Sequence, residues 1–186
     1  IQKAVELALK DKVAAITTGP INKKSLHLAG HPFPGHTELL GHLTDSKNPS
    51  LMMEGNSLRV VLVTTHLPLD QVKSQITEEK VLQSIQQTNN WLQKYVTDIP
   101  SIAVVGLNPH CGDGGIFGQE EIEFILPAIK TAQQEGIQAS GPYPADALFQ
   151  RAASEKYDAV ICMYHDQGMI PVKMNGMSVN ITMGLP

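Results

Sequence analysis

Three histidines each stand just beyond an apolar, strand-like run: His66 in TTHLPL, His110 in GLNPHCGDGG and His165 in MYHDQG. Ligands of open α/β sheets bind beyond the carboxyl ends of the strands. Three imidazoles delivered there could share one divalent metal and leave coordination positions for water or substrate. Taken singly, each is more simply a hydrogen-bonded loop histidine. A shared metal site and three separate loop residues therefore both stay open.

The elements that position these histidines follow from the hydrophobic pattern. Strand-like and helical runs alternate, which predicts βαβ units, an α/β fold and a mainly parallel sheet. The period of 3.6 residues predicts amphipathic helices over residues 78–96 and 122–132, the second closed by Gly136. The expected strands are residues 13–17, 50–53, 58–64, 102–107, 159–163 and 179–182, with the turn GNS between the second and third.

Other polar groups stand near predicted helix starts. His36 and Thr37 in FPGHTELL lie at the mouth of a helix, one of them near the N-cap, where backbone N–H groups can accept a phosphate or carboxylate. Asp146 begins another helix and is either an N-cap or an acid directed at the metal. Asp166 directly follows His165 and could orient its imidazole. An ordinary helix start without a ligand explains His36 and Thr37 equally well.

The glycine-rich segment after Leu107 also invites a dinucleotide-binding interpretation. Its glycines, Gly112, Gly114 and Gly118, are one residue away from the G-x-G-x-x-G spacing, and His110 sits in the turn. A backbone site for an anion and the ordinary need of a tight turn for positive φ explain the glycines equally well. We therefore predict no Rossmann site here.

Composition limits the classes of partner. With 186 residues, 42% of them hydrophobic, the chain can form one large or two small domains. A net charge of −4 gives no electrostatic reason to expect nucleic acid or a membrane surface as a partner. The chain has neither an apolar run of about 20 residues nor a signal-peptide pattern. It contains two cysteines, Cys111 and Cys162. We expect a soluble, cytoplasmic protein without disulfide bonds. Because it starts within a helical pattern, we also expect a piece of a longer chain.

Several long motifs occur together in this sequence. GHTE, TTHLPL, GLNPH-x-G-x-GG, PAD, YHDQG and VNITxGLP follow one another between TTGPINK and the final GLP. In order and spacing they resemble the 4-hydroxythreonine-4-phosphate dehydrogenase family, NAD-dependent enzymes of pyridoxal 5′-phosphate biosynthesis. The resemblance covers nearly the whole chain.

This resemblance implies a fold and an assembly. The family's fold is similar to that of isocitrate and isopropylmalate dehydrogenases, with two three-layer α/β/α domains, a cleft between them and a homodimeric state. Residues 1–186 would then be the central α/β portion of a longer two-domain chain, with an internal boundary that the sequence does not fix. The family's active site lies at the dimer interface, where the second subunit contributes a ligand.

The resemblance also implies site residues. His66, His110 and His165 match the family's metal-binding histidines, and His36 and Thr37 match its substrate-binding pair. Two further residues match substrate contacts, Lys173, which we also take as a catalytic candidate, and Asn180. Asp146 is our candidate proton acceptor. The divalent metal would be zinc, manganese, cobalt, nickel or magnesium.

The predicted reaction is NAD-linked oxidation of 4-phosphohydroxy-L-threonine at C3, followed by decarboxylation to 3-amino-2-oxopropyl phosphate. A sister group within the family oxidises threonate or erythronate 4-phosphate, and the motifs do not separate the two. A non-catalytic metal-binding α/β fragment and a phosphate-handling transferase remain as alternatives from other classes.

Overall fold

A six-stranded sheet carries the histidine-bearing segments, with strand order β4-β3-β5-β2-β1-β6. β2 pairs in parallel with β5, β5 with β3 and β3 with β4, whereas β1 pairs antiparallel with β2. The computed structural model describes residues 1–55, 58–151, 157–174 and 176–186. The strands are β1 Ser50–Gly55, β2 Leu58–Leu62, β3 Ser101–Val105, β4 Gln138–Tyr143, β5 Ala159–Cys162 and β6 Ser178–Met183.

Helices follow most strands, as the alternating pattern predicts. They are α1 Gln2–Ala8, α2 Lys23–Leu28, α3 His36–Leu43, α4 Leu69–Gln75, α5 Glu78–Tyr95, α6 Leu126–Gln134, α7 Ala145–Arg151 and α8 His165–Met174. A π-helical turn, Glu121–Ile125, leads into α6. Two compact units divide the chain. The smaller comprises Ile1–Ser50 with Thr182–Pro186, and the larger comprises Leu51–Ile181.

Both faces of the sheet in the larger unit are covered. Val60 and Leu62 of β2 pack in a buried cluster with Leu148 of α7 and Val172 of α8. Val61 points to the other face because successive residues of a strand alternate. It is fully buried, and α5 contacts β2 and β5. The α/β class and the layered, mainly parallel sheet are therefore confirmed.

Not every predicted element is found. The predicted strand over residues 13–17 is wrong, because this segment lies outside any strand and Val13 is 40% exposed. A β-branched run forms a strand only where a neighbouring strand accepts it. β4, α4 and α8 were not predicted. Of the expected turn GNS, Asn56 and Ser57 lie outside the described residues. Within the described parts of the chain, we find no helix with the length and apolar character needed to cross a bilayer.

Candidate functional site

Four parallel strands of the larger unit end at one edge of the sheet. His66 follows β2, His110 follows β3, His165 follows β5, and Asp146 follows β4. Because β4, β3, β5 and β2 are neighbours in that order, their carboxyl ends form one continuous edge. The prediction that the three histidines come from separate strand ends at one side of the sheet is confirmed. His165 begins a helix, where a loop was expected.

Two of the histidines lie side by side. The ring centroids of His66 and His165 are 5.5 Å apart, and their planes are tilted by 42°. Nδ1 of His165 lies 2.7 Å from Oδ1 of Asp166, the neighbour predicted to orient it. A carboxylate in this position fixes the ring orientation and the tautomer of a metal-binding histidine. Nε2 of His165 is then the nitrogen left to bind a ligand.

His110 begins a strained turn. The five consecutive residues from His110 to Gly114 have left-handed backbone conformations, with φ between 43° and 76°. For the three residues with side chains, His110, Cys111 and Asp113, this conformation costs roughly 1–2 kcal/mol each. Such strain persists only where surrounding contacts over-determine the backbone.

Two adjacent buried carboxylates supply those contacts. Glu120 and Glu121 are each 3% exposed. Oε1 of Glu121 accepts hydrogen bonds from the N–H groups of Leu107 and Asn108, both at 2.7 Å. The Asn108 side-chain amide donates to Oε2 of Glu120 at 2.7 Å and to Oε2 of Glu121 at 2.8 Å. Charge-assisted hydrogen bonds of this kind are stronger than neutral ones, so they fix the chain as it leaves β3 toward His110.

The same carboxylates explain the glycines of the turn. A Cβ at Gly112 would lie 2.8 Å from the carbonyl oxygen of Gly118 and 2.9 Å from Oε2 of Glu121. A Cβ at Gly118 would overlap the Asn108 side chain and the Glu120 carboxylate. Both positions also have positive φ, 76° and 143°. Gly112 and Gly118 are therefore required by groups of the chain itself.

An ion pair links this turn to the segment that follows His66. Nζ of Lys73, on α4, lies 2.6 Å from Oε1 of Glu120. Burial raises the pKa of the Glu120 carboxyl, but hydrogen bonds from Lys73 and Asn108 outweigh burial and leave that pKa below its ordinary value. The hydrogen bond to Glu120 and the attraction of its charge raise the pKa of Lys73. The pair is therefore ionised at neutral pH.

Two further side chains join the remaining strand ends. Oε1 of Gln167 accepts from the N–H of Met163, and its Nε2 donates to the carbonyl oxygen of Gly106, both at 2.7 Å. The Thr64 hydroxyl donates to the carbonyl oxygen of Met163 at 2.7 Å. Together with the ion pair between Lys73 and Glu120, these hydrogen bonds connect the segments that follow β2, β5 and β3.

The described residues do not complete a three-ligand metal site. Among them, no three histidine, cysteine, aspartate or glutamate side chains form a group that could hold a metal ion. His66 and His165 lie together, whereas the ring of His110 lies next to that of Phe117, with centroids 6.4 Å apart. One chain thus brings two of the three histidines together. The three-histidine site stays a prediction.

Cys111, beside His110, has the properties of an inert thiol. Burial raises its pKa, as do the charges of Glu121 and Asp146, to about 11. A thiol with this pKa is protonated at neutral pH and is a poor nucleophile and a poor metal ligand. Cys162 is fully buried in β5, and burial raises its pKa as well. Neither cysteine is in a disulfide bond, and we assign neither a role.

Three other predicted site residues lie in the larger unit. Asp146 is exposed in the first turn of α7, near enough to Cys111 for its charge to act on the thiol. Lys173, in the last turn of α8, shares with His165 an open depression of about 390 Å³. Asn180 is exposed on β6. The shared depression brings Lys173 and His165 onto one surface of α8.

His36 and Thr37 belong to the smaller unit. They open α3 behind Gly35, which occupies the N-cap position that we had expected for one of them. Nε2 of His36 is buried and has no hydrogen-bond partner among the described residues. Oγ1 of Thr37 lies 3.5 Å from Oγ1 of Thr182, which joins the GHTE motif to the VNITMGLP motif. Buried unpaired nitrogens are rare in native proteins, so an added ligand would supply the partner that His36 lacks.

Sequence reasoning missed the residues that hold the histidine segments in place. From the sequence, no role was assigned to Lys73, Glu120, Glu121 or Gln167. The signal that could have found them is the pair of acids directly after a glycine-rich turn, because the orphan N–H groups of such a turn need acceptors.

Comparisons with known proteins cover the whole chain. A family model described as "Pyridoxal phosphate biosynthetic protein PdxA" matches residues 1–186. A 4-hydroxythreonine-4-phosphate dehydrogenase from Desulforapulum autotrophicum is 49% identical over 189 residues, covering 100% of this chain and 56% of that relative. A D-threonate 4-phosphate dehydrogenase from Salmonella typhimurium is 44% identical over 188 residues, covering 100% of this chain and 58% of that relative.

A solved structure extends the similarity to the fold. The crystal structure of a 4-hydroxythreonine-4-phosphate dehydrogenase from Klebsiella pneumoniae superposes with a TM-score of 0.94 at 43% identity. The match covers 100% of this chain and 57% of that one. The chain therefore spans a little over half the length of the relatives that it matches.

Proposed function

The chain belongs to the family of the pyridoxal phosphate biosynthetic protein PdxA, and on that basis we propose that it forms part of an NAD-linked dehydrogenase. The proposed reaction is oxidation of the C3 hydroxyl of 4-phosphohydroxy-L-threonine, after which the β-keto acid loses CO₂ and leaves 3-amino-2-oxopropyl phosphate. Relatives named for dehydrogenase activity toward 4-hydroxythreonine 4-phosphate support this substrate.

The observation that carries the proposal is the adjacency of His66 and His165 at the sheet edge that also carries the His110 turn. These residues fit a divalent metal, because imidazoles are good ligands and Asp166 already holds Nδ1 of His165. We propose that His66, His110 and His165 hold zinc, manganese, cobalt, nickel or magnesium. When bound, such a metal acts as a Lewis acid that lowers the pKa of the substrate alcohol.

The remaining work of the chain is binding and proton transfer. His36 and Thr37 would contact the substrate, and the unpaired Nε2 of His36 supports a polar contact there. Lys173 supplies a cation for phosphate or carboxylate, and Asn180 adds a hydrogen-bonding amide. Asp146 is our candidate to take the hydroxyl proton, since its carboxylate is exposed near the His110 turn. Bound NAD would supply the hydride acceptor, and the residues of the chain would contribute orientation and charge stabilisation.

We also propose a homodimer with a shared active site. Ile170 and Met174 of α8 are 58% and 81% exposed, beside Lys173. Met177 and Val179 further along the chain are 90% and 58% exposed. Exposed apolar side chains in such numbers support burial against a second subunit. A ligand from that subunit would complete the metal site. The free cysteines support a reducing, cytoplasmic location.

A second substrate has a specific observation in its favour. Relatives named D-threonate 4-phosphate dehydrogenase are 42% to 44% identical over the whole chain, close to the 49% of the first group. The two substrates share the phosphate and the secondary alcohol and differ in the amino group. The residues described above do not discriminate between them.

The test is a spectrophotometric assay of NADH formation by the natural full-length protein. The assay supplies NAD and a divalent metal, with 4-phosphohydroxy-L-threonine or D-threonate 4-phosphate as substrate. We expect turnover with the first substrate that is abolished by chelation and by His66→Ala. Turnover only with the second would select the sister activity. Metal binding without NADH from either substrate would contradict the proposed function.

A further inference from the structure

We propose that Glu121 is a positioning residue that serves as the internal anion of the glycine-rich turn. Its buried carboxylate occupies the place that a bound phosphate would take and holds His110 in its left-handed conformation. The inference rests on the proposed function in one respect, namely that His110 is a metal ligand. The occupation of the turn by Glu121 stands apart from that function.

The backbone N–H groups that lead into the turn are already used as hydrogen-bond donors. Glycine-rich turns bind anions through successive N–H groups that converge on one point. Here the N–H groups of Leu107 and Asn108 converge on Oε1 of Glu121, at 2.7 Å each. A phosphate approaching the same donors would have to displace a carboxylate that is 3% exposed. The backbone donors that lead into the glycine-rich turn are therefore already occupied by a carboxylate of the chain itself.

The burial and the contacts of Glu121 differ from those of the residues beside it. It lies on the π-helical turn Glu121–Ile125, where the next two residues, Ile122 and Glu123, are exposed. Of the three glutamates between residues 120 and 123, Glu120 and Glu121 are buried and Glu123 is exposed, and Lys73 pairs with Glu120. Both carboxylates accept from the Asn108 side chain, but only that of Glu121 also accepts from the backbone N–H groups of Leu107 and Asn108 among the described contacts. Glu121 thus acts on the segment that enters the His110 turn.

The backbone at Gly106 and Gly112 packs closely against the Glu121 carboxylate. A Cβ at Gly106 would lie 2.9 Å from Oε1 of Glu121, and one at Gly112 would lie 2.9 Å from Oε2. The backbone before and after His110 therefore closes directly on the two carboxylate oxygens. Removal of the carboxylate would leave the N–H groups of Leu107 and Asn108 without their acceptor, and a small carboxylate from solution could replace it.

The test replaces Glu121 and then returns the carboxylate from solution. In the natural full-length protein we expect Glu121→Ala to weaken Co²⁺ affinity by about 10- to 100-fold, the usual effect of removing an outer-shell partner. The Co²⁺ absorption spectrum should change with it. Added formate or acetate should restore both affinity and spectrum. A role in folding alone would give no rescue by small carboxylates.

A second readout does not involve the metal. In wild type, titration with inorganic phosphate should leave the NMR signals of the Leu107 and Asn108 amides in place, because Glu121 occupies them. In Glu121→Ala the same titration should shift both signals. Glu123→Ala is the matched control, because it removes an exposed carboxylate from the same helical turn. We expect it to change neither readout.

The outcomes separate the two proposals. If wild type forms no NADH but Co²⁺ binding depends on Glu121 with formate rescue, the proposed function fails and the positioning role stands. Phosphate shifts of the two amides in wild type would overturn the positioning role. So would unchanged Co²⁺ affinity and spectrum in Glu121→Ala. If Glu121→Ala does not fold, Glu121→Gln, which keeps one acceptor oxygen, must show a weaker loss in both readouts, and wild-type behaviour of that variant overturns the proposal.

Discussion

The turn that carries His110 and the helix that begins at His165 differ in backbone conformation, although both follow buried parallel strands at the same sheet edge. His110 opens five left-handed residues that are held by buried carboxylates. His165 opens a right-handed α-helix, α8, held by the neutral side chain of Gln167. Topology therefore sets the strand end at which each histidine lies, whereas local hydrogen bonds set how firmly the backbone of that histidine is held. The His110 turn should be the more sensitive to substitution.

Gly112→Ala should have the largest effect on stability. It combines positive φ with a Cβ placed against the Gly118 carbonyl oxygen and the Glu121 carboxylate. We expect a loss of about 2–4 kcal/mol in the free energy of unfolding by urea. Gly114→Ala is the matched control, since it has φ of 66° and no atom within 4 Å of the added Cβ. It should cost about 1–2 kcal/mol, the ordinary cost of a left-handed residue that has a side chain. Equal costs would show that the carboxylates do not constrain the turn.

Gln167→Ala, in the helix that begins at His165, should have a smaller but measurable effect on the free energy of unfolding. It removes two hydrogen bonds of 2.7 Å and leaves the Met163 N–H and the buried Gly106 carbonyl unpaired. We expect a loss of about 1–3 kcal/mol in urea unfolding. Gln133→Ala is the control, because that exposed residue makes one such bond, to the Ala139 carbonyl. A loss from Gln167→Ala no larger than that of Gln133→Ala would remove the bracing role of Gln167.

The placement of the three histidines at strand ends could be predicted from the sequence. The apolar runs that became β2, β3 and β5 are specified by hydrophobicity alone, so the histidines behind them could be placed at strand ends. β4 was missed because QASGPY contains glycine and proline, and α8 because HDQGMIPVKM contains Pro171. The run over residues 13–17 has strand propensity but no strand forms there.

The hydrogen bonds and the ion pair that hold the His110 turn in place could not be predicted. Glu120 and Glu121 are hydrogen-bonded to Asn108 and Glu120 is paired with Lys73, and these contacts join residues that are distant in sequence. The resemblance to the family supplied the roles of His36, Thr37, Lys173 and Asn180. It could not supply the orphan Nε2 of His36, which depends on packing.

Glu120→Gln should change the pH dependence of stability. Because the pKa of Glu120 is lowered in the folded state, its contribution is present above the unfolded-state pKa and is lost as pH falls through the folded-state pKa. Wild type should therefore lose stability toward acid more steeply than the variant, and the two curves should converge at low pH. Urea unfolding between about pH 3 and pH 6 measures this. Lys73→Gln should remove part of the same slope. Parallel curves for Glu120→Gln and wild type would exclude the ion pair as a source of acid sensitivity.

Asp166→Asn should have the smallest effect on stability. The side chain is 72% exposed, so unfolding should change by no more than about 0.5 kcal/mol. Its effect should instead be on metal binding, with affinity lower by roughly 10-fold, because the carboxylate orients His165. Isothermal titration with Zn²⁺ measures the affinity. Unchanged affinity would mean that Asp166 does not tune His165.

The most direct test of the account is metal titration of His66→Ala, His110→Ala and His165→Ala in the natural full-length protein. His42→Ala serves as a control, because His42 is exposed on α3 in the smaller unit and packs on Phe33. We expect each of the three variants to lose at least about 100-fold in Zn²⁺ affinity, more than removal of an outer-shell partner costs, and His42→Ala to bind as wild type. Wild-type affinity in any one of the three variants would contradict a single metal site shared by the three strand ends.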